Sequence, residues 1–265
     1  LKEGNSYPLA RQKAMFEYFN SDIATPILAE PNNILGIEYL KALYKIDSDM
    51  KPYTIPRVSS AYHDEELQEE FSSATAIRNE IKNNELNNLE GQVPDESLDS
   101  FKQSYQIRYP VYLNDFSLLL KYRLLNETKE TLCQYVDVSE ELANRIINLR
   151  NEYIDFEQFC DILKTKEITY SRISRVLLHV LLNIRQSDLT PIKHARVLGF
   201  RKDSTAVLSQ IKDNSVIPLV GKLVGIDDPM ILQDVYISNL YESVVTDKFK
   251  TPFINEYEQS LVLFK

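Results

Sequence analysis

Asparagine and arginine side chains stand at two predicted strand-to-helix junctions in the first quarter of the sequence. Asn32 and Asn33 follow the apolar run TPILAE (residues 25–30), and Arg57 lies at the end of YTIPRV (residues 53–58). In open α/β sheets, ligands bind beyond the carboxyl ends of the strands, where helix N termini present unpaired N–H groups. We therefore expect Asn33 to cap the helix and Asn32 to contact a ligand, whereas the Arg57 guanidinium suits phosphate oxygens or a purine ring. Capping and a surface ion pair would explain the same residues without a ligand.

A third group with binding chemistry is the segment SSATAIR, which begins at Ser72. Ser73 and Thr75 place hydroxyls and backbone N–H groups at a predicted helix N terminus, a geometry that binds anions. Arg78 lies three residues beyond Thr75 and therefore on the same face of that helix. These three residues form a candidate phosphate site, although serine-rich helix caps without any ligand are also common.

The order of the predicted elements around these residues is strand, helix, strand, helix, which is typical of a doubly wound parallel sheet. Two strands cannot complete such a sheet, so we expect further strands upstream of Leu1. After Asp99 the pattern changes to amphipathic helices. The sequence thus predicts an α/β fold: residues 1–95 form the C-terminal half of a doubly wound domain, and residues 96–265 form a mostly helical domain. Within these domains we predict helices at 5–20, 34–45, from Thr75 and at 228–245, strands at 25–30 and 53–58, and a strand within 194–200.

Composition excludes several protein classes. With 265 residues and 43% hydrophobic residues, the chain can bury a core. Two cysteines, Cys133 and Cys160, make a disulfide framework improbable and indicate a reducing compartment, which predicts a cytoplasmic location. The longest apolar run, at residues 176–184, is too short to span a bilayer. Because the chain opens at Leu1 rather than at a methionine, in what reads as the middle of a longer sequence, we expect it to be a fragment.

Charge is distributed unevenly along the chain. The net charge of −9 argues at first against a nucleic-acid partner, and acidic residues dominate positions 64–99. Basic residues dominate positions 164–202, and a local basic block of this kind can recruit a polyanion. A solvated face with scattered cations would give the same counts. The candidate residues for this polyanion contact are Arg172, Arg175, Lys193, Arg196, Arg201 and Lys202; the family resemblance described next implies that the polyanion is tRNA.

Five segments together resemble the bacterial tRNA(Met) cytidine acetate ligase family, within the nucleotidyltransferase superfamily. They are GNSYPLARQKA, EPNNILGIEYLKAL, PYTIPRVSSAYHD, SSATAIRN and ARVLGF. The resemblance covers most of the chain, is densest over residues 4–80, and includes a second nucleotidyltransferase signature in SATAIR. It implies activation of acetate by ATP to acetyl-adenylate, followed by acetylation of N4 of the wobble cytidine in elongator tRNA(Met).

By this resemblance, Asn32 and Arg57 match the ATP-binding asparagine and arginine of the family. ATP is then a substrate accompanied by Mg²⁺, elongator tRNA(Met) and acetate are partners, and no protein-bound metal or membrane is expected. The family's His-x-Gly-His motif does not occur in this sequence, whose histidines are His63, His179 and His194. The catalytic motif is therefore expected upstream of Leu1, and we expect the chain alone to be inactive.

Two other functions fit part of the same pattern. A small-molecule adenylyltransferase of the same superfamily would use the α/β half but would not need a basic helical domain. A non-catalytic remnant that binds RNA or protein would use only the helical half. Strong tRNA binding counts against the first, and a native gene that begins near Leu1 would favour the second.

Overall fold

A computed structural model describes residues 7–19, 27–28, 31–56, 65–69 and 71–264. The chain divides into two compact units, Leu1–Lys102 and Gln103–Lys265. The first unit ends a few residues beyond the predicted boundary because the helix that starts at Asp95 packs onto preceding residues. Leu98 is buried there, and Lys102 forms an ion pair of 3.2 Å with Glu90.

The described part of the first unit is helical. Residues that favour helix initiation mark the starts: Ser73 caps the helix that follows it, and Asp95 and Glu96 place carboxylates in a first turn, where the helix dipole favours negative charge. Buried side chains such as Ala76, Ile81 and Leu89 hold these elements together. The helices are α1 (Tyr7–Phe19), α2 (Pro31–Lys45), α3 (Ala74–Lys82) and α4 (Asp95–Ser104), with a 3₁₀ turn at Leu86–Leu89.

The strands predicted at 25–30 and 53–58 are wrong where the structure describes them. Ile27 and Leu28 are helical, and residues 53–56 form no strand; the other positions of both runs lie outside the described residues. A short apolar run cannot be assigned to strand or helix by periodicity alone. Pro31 starts a helix rather than ending a strand. It is the first residue of α2, where proline's fixed φ favours a helix and its missing N–H costs no hydrogen bond.

Helices dominate the second unit and enclose its main core. The core includes Leu120, Tyr135, Ile146, Phe159 and Leu177, all fully buried. Ser139, Asp155 and Thr169 each accept a hydrogen bond from the backbone N–H of the third residue of the helix that follows, and so cap these helices. The helices are α5 (Ser117–Leu125), α6 (Lys129–Leu132), α7 (Glu140–Leu149), α8 (Phe156–Leu163), α9 (Tyr170–Leu181), α10 (Thr205–Asn214) and α11 (Pro229–Phe249).

The strands of the described chain also lie in the second unit, and they pair in parallel. Strand β1 (Ala195–Arg196) pairs with β3 (Leu219–Val220), and β2 (Gly199–Arg201) pairs with β4 (Val262–Phe264). The predicted strand within 194–200 is therefore two short strands. Gly199 is required where β2 meets β4, because a Cβ at this position would lie 2.6 Å from the Val262 carbonyl oxygen.

Helix α11 is the longest in the described chain and confirms the helix predicted for this region. Asp228 caps it by accepting hydrogen bonds from Met230 and Ile231, and Pro229 occupies the first helical position. Ile231 and Val235 pack in a small second cluster with Val220 and Leu223 of the β3 region. Among the helices that the structure describes, none combines the length and apolar character needed to cross a bilayer.

Both cysteines are free thiols, and Cys160 lies fully buried in the main core. The pKa of this thiol is raised to about 12, and burial is the largest cause of the shift. At pH 8 we expect iodoacetamide to leave Cys160 unmodified in the folded protein, because the thiolate is the reactive form and the thiol is inaccessible. In urea both cysteines should react, as peptide mass spectrometry would show. Rapid native modification of Cys160 would contradict this packing.

Candidate functional site

At the first predicted junction, Asn32 lies inside helix α2 and not before it as predicted. Helix α2 already begins at Pro31, so Asn32 and Asn33 are its second and third residues. The prediction that Asn33 precedes and caps the helix is wrong for that reason. Both asparagine side chains are exposed, and they lie in the first turn, where backbone N–H groups lack helical partners. Arg57 lies outside the described residues.

Open space adjoins Gly36, one turn further along α2. A Cβ built there would meet no described atom within 4 Å. A ligand group could therefore approach the backbone of this turn, as the glycine suggests. Among the residues that the structure describes, none covers exposed Asn32 or closely approaches Gly36 from outside α2.

At the second predicted site, Ser73 has a structural role. Its hydroxyl accepts the Ala76 N–H at 3.0 Å, and the residue is buried, so the hydroxyl serves as the cap of α3. Thr75 is half-buried in the first turn, whereas Arg78 is exposed one turn further on. Within the described chain, the Arg78 guanidinium has no hydrogen-bond or ion-pair partner. The cation of the predicted phosphate site is thus available, and one of its hydroxyls is already in use.

The loop before α3 is held by side-chain amides. The Ser72 hydroxyl donates to Gln92 Oε1 at 2.6 Å and accepts the Gln68 N–H at 2.8 Å. Gln92 Nε2 in turn donates to the Gln68 carbonyl at 2.8 Å. These three hydrogen bonds fix the segment that leads into Ser73 and so position the N terminus of α3.

The basic block places two arginines on α9 in different surroundings. Arg175 forms an ion pair with Asp137 at 2.9 Å, and both side chains are largely exposed. Arg172 is half-buried and forms no side-chain hydrogen bond or ion pair with described residues. Tyr170 begins the same helix, and burial raises the pKa of its hydroxyl to about 12. Arg172 is therefore the more available cation of the two.

The cations that flank β1 and β2 also separate into paired and unpaired groups. Arg196 forms an ion pair with Glu256, a carboxylate whose side chain is only 7% exposed. Arg201 pairs with Asp203 at 3.1 Å, but both of these side chains are exposed. Lys193 and Lys202 are exposed, and their ammonium groups have no partner in the described chain. Sequence inspection could not find Glu256 as a partner, because it lies 60 residues beyond Arg196.

No three His, Cys, Asp or Glu side chains of the described chain converge to form a metal site. His179 Nδ1 lies 3.0 Å from the Val136 carbonyl oxygen, and His194 Nδ1 lies 3.7 Å from Asp228 Oδ2. Both imidazoles thus face neighbours within the second unit, and His63 lies outside the described residues.

A model of the family described as HIGH nucleotidyl transferase matches residues 1–255. The tRNA(Met) cytidine acetate ligase of Clostridium acetobutylicum is 33% identical to this chain over 277 residues, which cover 99% of the chain and 67% of the relative. The chain belongs to the tRNA(Met) cytidine acetate ligase family. The member from Clostridium novyi is 36% identical over 230 residues. This alignment covers 84% of this chain but only 57% of the Clostridium novyi protein. The chain thus spans about three fifths of the length of these family members.

Two solved structures show that the fold is the one found in the family. The apo crystal structure of Thermotoga maritima TmcAL superimposes with a TM-score of 0.86, and the form bound with alpha-thio ATP with 0.83. Both matches cover 99% of this chain at 24% identity, and they cover 68% and 67% of the respective TmcAL chains. The predicted nucleotidyltransferase-like α/β fold is therefore confirmed, although its described strands differ from the predicted ones.

Because Arg196 pairs with buried Glu256, we expect its replacement to reduce the stability of the fold rather than to reduce RNA affinity directly. We expect Arg196→Ala to lower the free energy of unfolding by on the order of 2 kcal/mol, because it leaves a buried carboxylate without its cation. Arg201→Ala is the matched control, and it should change stability by less than about 0.5 kcal/mol because its pair is exposed. Urea unfolding followed by circular dichroism measures both. Equal stability of the two variants would show that the Glu256 pair is not structural.

Proposed function

We propose that this protein is a tRNA-modifying ligase that uses ATP and acetate to acetylate N4 of the wobble cytidine in elongator tRNA(Met). The proposal depends above all on the 33% identity that extends over 99% of the chain to a ligase of that name. In the first step, an acetate oxygen attacks the α-phosphorus of ATP and pyrophosphate leaves. In the second, the cytidine amine attacks the acetyl carbonyl and AMP leaves. We expect Mg²⁺ to accompany ATP, and the proposal includes no protein-bound metal.

The nucleotide is proposed to bind at the starts of helices in the first unit. Asn32 is exposed in the first turn of α2 beside the open backbone at Gly36, and its amide can donate to or accept from a nucleotide. Arg57 is its proposed partner by the family resemblance. At the start of α3, Thr75 and the unpaired Arg78 are proposed phosphate contacts. Ser73 contributes there by capping the helix, which fixes the neighbouring N–H groups.

Elongator tRNA(Met) is proposed to contact cations of the second unit that have no internal partner. Arg172, Lys193 and Lys202 meet that condition within the described chain. Arg175 and Arg201 form exposed pairs, which contribute little stability, so RNA phosphates can displace their carboxylates. This surface lets an acidic protein bind RNA, since phosphate affinity depends on local cations rather than on the net charge of −9. A cytoplasmic location follows from the substrate.

The chain by itself is expected to lack ligase activity, because the His-x-Gly-His motif of the family does not occur in its 265 residues. The proposed activity is therefore tested in the native protein. A strain that lacks the gene, complemented with the gene or its variants, supplies elongator tRNA(Met) whose N4-acetylcytidine is measured by mass spectrometry.

In this assay we expect Asn32→Ala to reduce the rate of N4-acetylcytidine formation by about 10- to 100-fold, the usual loss for one hydrogen bond to a charged ligand. Asn33→Ala is the matched control, since the neighbouring asparagine is equally helical and exposed. It should retain the rate of the unmodified protein. If both variants retain it, Asn32 does not bind the nucleotide; if the deletion strain still makes N4-acetylcytidine, the proposed function is wrong.

The proposed tRNA surface predicts a change in salt dependence. Replacing Arg172 and Lys202 together by alanine should weaken tRNA binding and reduce the slope of log K against log [NaCl] by about 2, one for each lost phosphate contact. Lys250→Ala is the control, because Lys250 is exposed but pairs with Asp247 at 2.9 Å. Filter binding of elongator tRNA(Met) between 50 and 200 mM NaCl, as a chosen range, measures the slopes. An unchanged slope in the double variant would place the RNA on another surface.

A further inference from the structure

A cleft of 540 Å³ lies within the second unit, between the turn that follows α9 and the first turns of α11. Its size falls within the range of about 300–1,000 Å³ found for small-ligand sites. Lys193, one of the unpaired cations, is among its lining residues. The cleft therefore adjoins the surface proposed to bind RNA.

One wall of the cleft is rigidly built around Arg185. Asn183 lies two residues beyond the end of α9 and has a φ of 56°, a conformation that asparagine tolerates. The Ile184 N–H closes this turn on the His179 carbonyl at 2.8 Å. The Arg185 guanidinium lies 5.2 Å from the centre of the Tyr135 ring and donates to Asn183 Oδ1 at 3.3 Å. Gln134 Oε1 accepts a further hydrogen bond from Arg185. This cation is thus held in place before any ligand arrives.

The opposite wall belongs to α11 and offers apolar and polar groups. Met230 and Ile237 line the cleft together with Ile184 of the first wall. Gln233 is fixed, because its Nε2 donates to the Leu182 carbonyl at 2.6 Å. Asp234 also lines the cleft, and its carboxylate forms no hydrogen bond or ion pair with described residues. The cleft therefore combines a planar cation, aliphatic surface and one open carboxylate.

The carboxylates that line the cleft determine whether it favours the base or the phosphate of a nucleotide. Asp188 and Asp228 are already engaged: Asp188 Oδ2 accepts the Arg185 N–H at 2.7 Å, and Asp228 Oδ1 caps α11. Asp234 remains open, and a carboxylate repels phosphate but accepts hydrogen bonds from an exocyclic amine of a base. A base inside the cleft can donate its amine to the Asp234 carboxylate, while its phosphate lies at the Lys193 ammonium on the rim.

We infer that this cleft binds one unstacked nucleotide of the RNA partner, with a base that carries an exocyclic amine. The inference rests on the proposed function, because it assumes that the second unit binds RNA. The base packs against Ile184, Ile237 and the Arg185 guanidinium, a plane on which splayed RNA bases stack. Its amine donates to Asp234, and Lys193 holds the adjoining phosphate.

The test fills the cleft without changing its charge. Ile237→Trp adds an indole to the cleft wall, and Tyr236→Trp, on an exposed neighbouring position of α11 that does not line the cleft, is its matched control. We expect Ile237→Trp to weaken binding of elongator tRNA(Met) by about tenfold, within the range that one stacked base contributes. The salt slope should stay unchanged, because no phosphate contact is lost. Lys193→Ala should instead reduce the slope by about 1.

A second measurement does not depend on how well the tryptophan is tolerated. In the unsubstituted protein, 4-thiouridine placed beside each amine-bearing nucleotide in turn, followed by irradiation, should crosslink to peptides from 183–193 or 228–237 at one site in the tRNA. Asp234→Asn should shift this preference towards a base with a carbonyl at that edge, such as uracil. Circular dichroism confirms that each variant is folded.

The outcomes separate this inference from the proposed function. If the unsubstituted protein fails to bind tRNA, both are overturned. If it binds tRNA but Ile237→Trp and Tyr236→Trp bind equally well, and crosslinks fall elsewhere, only the cleft assignment is overturned. Loss of affinity confined to Ile237→Trp, together with a crosslink at the cleft, supports the assignment.

Discussion

The buried carboxylate of Glu127 is the constraint on which the arrangement of the second unit depends. Glu127 is 7% exposed at the edge of the main core, where an isolated charge would be very costly. The Tyr135 hydroxyl donates to it at 2.7 Å, and Arg123 lies 3.5 Å away. Burial, and secondly the Glu127 hydrogen bond, raise the pKa of Tyr135, so its proton stays in place to satisfy the carboxylate. These three side chains thus satisfy one another next to the main core.

The same network determines the geometry of the cleft. The Arg123 guanidinium, already close to Glu127, also donates to Asn183, which has a left-handed conformation in the turn after α9. Tyr135, whose hydroxyl satisfies the carboxylate, presents its ring to Arg185. The groups that neutralise a buried charge therefore also fix the turn and the cation that form one cleft wall. Preorganisation of this kind lowers the entropy lost when a ligand binds.

The sequence predicted the elements whose signals are local. The helix start at Ser73, the amphipathic pattern of α9 and the Asp228–Pro229 start of α11 are each contained within a short segment. Strands were predicted wrongly because TPILAE has no periodicity to separate strand from helix. Strands β1 and β3 consist of two residues each, and their pairing joins positions 24 residues apart, as between Ala195 and Leu219. Such a pairing leaves no local pattern.

Residue type identified the cations of the basic block but could not predict which are available to a partner. Lys193 and Arg196 lie three positions apart with the same charge, yet Arg196 faces buried Glu256 and Lys193 faces solvent. The partner that decides between them comes from a distant part of the chain. Counting charge along the sequence therefore overstates the surface that can attract a polyanion. The cations of this unit that can attract a polyanion are those without an internal ion-pair partner among the described residues. They include Lys193 at the rim of the cleft.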